Sequence, residues 1–174
     1  RLRVPSPPKE GLTKRMTLYE MLLHTALRVP EKTCLRFGGD ELSYQEALQS
    51  VNRLGHHLME LGIGPGDRVA LVIPNTPAFI LAYFAITGIG AVAVPVNPAW
   101  TADELAFVVE DSAARLIVAA QLPAVQGVSA GQHEVLWVDD GAWQELLSTG
   151  NPAPLPGPGS DRDLAVFIYT SGTT

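Results

Sequence analysis

The sequence has one cysteine, Cys34, which excludes an internal disulfide framework. A lone cysteine fits a reducing, cytoplasmic setting. Its neighbours Thr33 and Leu35 suggest a buried strand position rather than a nucleophile. Charge is scarce, at 17% of residues against 47% hydrophobic, which excludes a disordered chain. Cations are fewer still: 12 Lys and Arg face 18 Asp and Glu, for a net charge of -6. The longest cationic cluster is Lys14-Arg15, too short to bind a nucleic-acid backbone. No apolar core follows the cations of Arg1 and Arg3, so the N-terminus does not read as a signal peptide. Ala78 to Val96 is uncharged and about as long as the roughly 18 residues of a membrane span, but Thr87, Gly88, Gly90 and Pro95 interrupt it. It reads as a buried helix followed by a buried strand. No internal repeat is present, and 16 Gly and 14 Pro are too scattered for a low-complexity chain.

What is present is a sequence of 174 residues, enough for one domain with a real core. Residues 1–16 read as an extended arm, since Pro5, Pro7 and Pro8 block a helix. Residues 17–149 read as an α/β unit, 150–160 as a Pro/Gly linker, and 161–174 as a strand entering a loop. Three capping boxes, Thr17/Glu20, Ser43/Glu46 and Thr101/Glu104, predict helix starts. The first helix should run from Leu18 to Arg28 and end before Pro30. Cys34 to Phe37 and Glu41 to Ser43 flank Gly38-Gly39-Asp40 as a hairpin. Leu48, Val51, Leu54, Leu58 and Leu61 give the second helix its apolar stripe, and Gly62 stops it. Strands are expected at Arg68 to Ile73, Ala91 to Val94, Leu116 to Ala119, Glu134 to Val138 and Leu164 to Tyr169. Helices are expected from Pro77 to Gly88, from Thr101 to about Ala113 and from Asp140 to Leu147. This alternation predicts right-handed crossovers and an open, mostly parallel, doubly wound sheet with helices on both faces.

Three motif matches read as structural. Gly88-Ile-Gly90-Ala-Val-Ala93 matches a loose dinucleotide fingerprint, but a helix precedes it and a strand follows, the reverse of what phosphate binding needs. It reads as a glycine helix stop. Gly127-Val-Ser129-Ala-Gly131 matches a nucleophile elbow. A strand follows it at once, and no acid lies between Ser129 and His133, so it reads as a surface loop. His56 and His57 are adjacent on a helix, about 100° apart, with no His or Cys one turn away, which disfavours zinc.

Thr170, Ser171, Gly172, Thr173 and Thr174 are different. Five consecutive hydroxyl or glycine residues follow an apolar strand, where ligands bind in open α/β sheets. Glycine lets backbone N–H groups turn inward and hydroxyls add donors, as phosphate loops require. No Gly-Lys-Ser/Thr is present, so this is not a Walker A loop.

That run resembles the opening of the phosphate-loop signature of the adenylate-forming enzymes: acyl-CoA synthetases, luciferases and peptide-synthetase adenylation domains. Gly64-Pro-Gly-Asp-Arg-Val-Ala70, Pro74-Asn-Thr-Pro77, Gly90 to Pro98, and Thr101 to Leu105 resemble that superfamily's N-terminal segment in order and spacing. Leu42 to Glu46 and Val51 to Arg53 fit its earlier part. The pattern is most similar to fatty-acid–CoA ligases. The resemblance implies a carboxylic acid substrate, ATP with Mg²⁺, and CoA as acyl acceptor. It implies that Thr170, Ser171, Gly172, Thr173 and Thr174 cradle the phosphates. It implies that the catalytic residues follow residue 174, because members are roughly three times as long, and that a hydroxyl of this loop can also support Mg²⁺ with a Glu further on. The chain is therefore expected to be an N-terminal fragment, inactive by itself, with apolar surfaces that favour a homodimer. Two other classes are a free-standing α/β binding or dimerisation module and a serine hydrolase built on Ser129.

Overall fold

The computed structural model describes residues 16–129, 133–157 and 160–170. All three capping boxes form. Helix α1 (Leu18–Arg28) opens on Thr17, α2 (Tyr44–Glu60) on Ser43, and a later helix on Thr101. In each, the hydroxyl accepts the N3 amide while the N3 glutamate accepts the cap amide, so two of the orphan donors at the helix start are satisfied. Between α1 and α2, β1 (Thr33–Phe37) and β2 (Asp40–Ser43) form an antiparallel hairpin. Its two-residue turn holds Gly38 and Gly39 at φ of 60° and 99°, which glycine adopts without strain.

The main sheet contains β3 (Arg68–Val72), β4 (Val92–Pro95), β5 (Ala114–Ala119) and β6 (Glu134–Trp137). Every pairing in it is parallel, and the strand order is β4-β3-β5-β6. Helix α3 (Pro77–Gly88) joins β3 to β4, and α4 (Ala102–Asp111) joins β4 to β5. The turn to β6 passes through α5 (Pro123–Ser129), and α6 (Gly141–Thr149) follows β6.

Alternation along the strands divides the core in two. Val69, Leu71, Leu116 and Val118 pack under α1, α2, α3 and α6. Ala70, Val72, Val94, Ile117 and Ala119 pack under α4 and α5. A strand covered on both faces is apolar along its covered length, which is why the run Val69 to Ile73 shows no polar alternation. The doubly wound parallel fold expected from the sequence is the fold observed.

Two helices end in the same way. Gly62 and Gly90 take φ of 78° and 77° just past α2 and α3. Ile63 N–H then reaches Leu58 O at 3.0 Å, and Ala91 N–H reaches Ile86 O at 3.1 Å. These are Schellman bonds that return the chain into β3 and β4. The fingerprint match at Gly88 to Ala93 is therefore a helix stop.

Two elements differ from the sequence expectation. The stretch around Gly127 is not a loop: α5 covers Pro123–Ser129. The strand expected over 164–169 is a single parallel bridge, Ala93 to Val166, on the outer edge of β4. Ala93 N–H donates to Ala165 O at 3.0 Å and Phe167 N–H donates to Ala93 O at 2.9 Å. The next rung would need an amide from Pro95, which has none, so the ladder ends there.

Candidate functional site

The expected phosphate loop begins at Thr170, which is exposed. Ser171, Gly172, Thr173 and Thr174 lie outside the described residues. The structure describes the path that leads to them over residues 151–157 and 160–170.

That path is tied down within the stretch that composition marks as a Pro/Gly linker. Tyr19, 2% exposed, donates its hydroxyl to Asn52 Oδ1 at 2.8 Å and accepts Leu155 N–H at 2.9 Å. Asn52 Nδ2 donates to Pro152 O at 2.9 Å. Arg53 Nη1 donates to Leu147 O at 2.6 Å, and a His56 ring nitrogen lies 3.1 Å from Ala153 O. The Leu155 side chain enters the core beside Gly55, Gly88 and Tyr19. Residues 151–155 thus form a strap across α1, α2 and α3. After it, Asp163 accepts Ser160 N–H at 2.8 Å, and the bridge to Ala93 follows.

Tyr169 is the last tie before Thr170. Its ring packs on the core under α4, and its hydroxyl donates to the Asp111 carboxylate at 2.6 Å. Asp111 is the final residue of α4, where the helix dipole disfavours a carboxylate. The hydroxyl supplies the compensating donor. The bond to Asp111 is the main reason the Tyr169 phenol is pushed above its ordinary value; burial and the Asp111 charge add to it, and a Ser112 hydrogen bond opposes it.

The matched block Gly64 to Ala70 does structural work. Asp67 accepts Gly64 N–H at 2.9 Å and pairs with Arg115 at 2.7 Å. Arg68 donates Nε to Ser112 O at 2.8 Å, Nη2 to Ala113 O at 3.1 Å and Nη1 to Gly66 O at 2.9 Å. It thereby ties the end of α4 to β3. Arg68, Asp111, Tyr19, Asn52 and Leu155 were not singled out from the sequence, because their partners lie 33 to 136 residues away or join carbonyls that no pattern marks.

The other candidates do not assemble a site. Ser129 ends a helix rather than opening one, which excludes an elbow. Cys34 is half-buried, and burial pushes its thiol up, away from the thiolate. His57 Nδ1 lies 3.7 Å from the Glu60 carboxylate. Among the described residues no cluster of His, Cys, Asp or Glu could hold a metal ion, and no helix is long and apolar enough to cross a membrane. A groove of about 660 Å³ between α1, α2 and the strap is lined by Leu23, Leu27, Pro30, Leu48, Pro152 and Pro154 among others, a mostly apolar surface.

Comparison with known proteins agrees with this frame. The chain belongs to the AMP-binding enzyme family, whose pattern matches residues 22–174. It is 33% identical over 173 residues to the phosphinothricin tripeptide synthetase PhsC of Streptomyces viridochromogenes, covering 98% of this chain and 16% of that protein. The N-terminal domain of FACL13 from Mycobacterium tuberculosis superposes with a TM-score of 0.83 at 24% identity, over 90% of this chain and 42% of that one. A Mycobacterium tuberculosis fatty acyl CoA synthetase superposes at 0.82 and 25% identity, over 89% of this chain and 32% of that one. The chain thus spans less than half the length of each of these three chains.

Proposed function

We propose that this chain forms the N-terminal portion of the adenylate-forming domain of a cytoplasmic acid–thiol ligase. The carboxylate of a fatty acid attacks the α-phosphorus of ATP, the bond to the β-phosphate oxygen breaks, and pyrophosphate leaves. The CoA thiol then attacks the acyl carbon, and AMP leaves with the former carboxylate oxygen. The observation that carries this reading is the family match running through Thr170, Ser171, Gly172, Thr173 and Thr174. Their hydroxyls and amides would donate to phosphate oxygens, neutralising charge as it moves to the leaving group. Mg²⁺ bound to ATP would share that charge; among the described residues no cluster of His, Cys, Asp or Glu could hold it.

A second reading has its own support. PhsC is named a tripeptide synthetase, and its similarity favours an amino acid as the acid and a carrier-bound thiol as the acceptor.

Pyrophosphate exchange with the intact gene product, over a panel of fatty acids and amino acids, separates the two. Exchange with fatty acids and release of acyl-CoA supports the first reading. Exchange with amino acids and no thioester on free CoA supports the second. The 174 residues alone are expected to release no pyrophosphate.

A further inference from the structure

We propose that Asp111 is a positioning residue for the phosphate loop and acts through the Tyr169 hydroxyl. The proposal rests on the reading of Thr170 to Thr174 given above and adds two residues to its support.

Tyr169 is bonded directly to Thr170, so whatever fixes Tyr169 fixes the loop's first residue. Ile168, at 71% exposure, and the exposed Thr170 bury too little to do this themselves. The β-ladder cannot do it either, because it ends at the Ala93 bridge. That leaves the Tyr169 ring on the core under α4 and the 2.6 Å hydrogen bond to Asp111. The distance is that of a charge-assisted O–H···O⁻ bond, the stronger class.

The other partner is rigid. The two residues after Asp111 have their carbonyls held by Arg68, which belongs to β3. The hydroxyl bond therefore references Thr170 to the central strand and not to the free edge of β4. A carboxylate at the C-terminal end of a helix is a poor choice for helix stability. A role in holding the loop accounts for its being there.

The test uses the intact gene product. Tyr169→Phe and Asp111→Ala are expected to raise KM for ATP about fivefold, the worth of one hydrogen bond in part-exposed surroundings. KM for the acid and the melting temperature stay unchanged. Asp111→Asn keeps an oxygen that accepts, and is expected to restore most of the ATP affinity. Amide exchange over 168–174 should rise several-fold in Tyr169→Phe and Asp111→Ala and not in Asp111→Asn. An unmoved KM for ATP in an active enzyme overturns the proposal alone. So does a loss that follows the melting temperature, or an Asp111→Asn variant as impaired as Asp111→Ala. A wild-type protein with no acid-dependent pyrophosphate exchange overturns the phosphate-loop reading and the proposal with it.

Discussion

Leu155 fits against Gly55: its Cδ1 lies 2.5 Å from the point where a Cβ on that glycine would stand. Gly88 offers the same side chain a second gap, at 2.8 Å. The strap carrying Leu155 approaches α2 and α3 closely only because neither helix has a side chain there.

This gives a prediction of sign reversal. Leu155→Ala should cost about 2–5 kcal/mol, the range for a buried leucine. Gly55→Ala gains about 1 kcal/mol of helix propensity, but it forces the buried Leu155 side chain to shift, and overpacking of that kind costs about 1–3 kcal/mol, so it destabilises on balance. In the Leu155→Ala background the clash is gone, and Gly55→Ala should stabilise by about 1 kcal/mol. Urea unfolding of the four proteins checks this; Gly55→Ala destabilising equally in both backgrounds would contradict it.

Removing the Tyr19 hydroxyl strands two buried partners, Leu155 N–H and Asn52 Oδ1. At about 1–3 kcal/mol for each unsatisfied group, Tyr19→Phe should cost about 2–6 kcal/mol. A loss below about 0.5 kcal/mol, within the range of a surface substitution, would mean the strap is not held this way.

Ala113 follows α4 with φ of 49°, the left-handed region that favours glycine. Ala113→Gly relieves strain of about 1–2 kcal/mol, and glycine's greater unfolded-state freedom takes back part of it. A net gain of about 0.5–1 kcal/mol is expected. Thermal unfolding reads it, and a loss would contradict it.

The helix starts were legible in the sequence because a capping box is local: Thr17 and Glu20 need only each other. The strand runs were legible because Val69 to Val72 are buried on both faces. Helix α5 was not legible: a strand expected just after Gly127-Val-Ser129-Ala-Gly131 made that stretch read as a loop, and packing against α4 overrides the weak propensity of Pro123 and Gly127. The strap was not legible for a different reason. Prolines at 152, 154 and 156 mark a stretch that is not helical, but nothing local says that Tyr19 and Asn52 will hold it. Of the candidate site, the hydroxyl run was visible as composition, while the Asp111 tie that precedes it appears only once α4 is folded.

The capping boxes also set an acid limit. Hydrogen bonds from the Ser43 backbone and hydroxyl hold the Glu46 carboxyl below its ordinary value, and those from Thr101 do the same for Glu104. A lowered folded value means that their contribution is present above the ordinary carboxylate value of 4.5 and is lost as pH falls through the folded one. The melting temperature should fall between pH 5 and pH 3, and Glu46→Gln with Glu104→Gln should flatten that fall while lowering stability near neutrality. An equally steep acid slope in the double variant would place the effect elsewhere.

The central claim is carboxylate activation by adenylation, and oxygen tracing tests it most directly. The intact gene product would be supplied with ATP, thiol acceptor and an acid carrying ¹⁸O in its carboxylate. Attack on the α-phosphorus followed by acyl transfer predicts AMP bearing one labelled oxygen. Unlabelled AMP, or ADP in its place, would contradict the account.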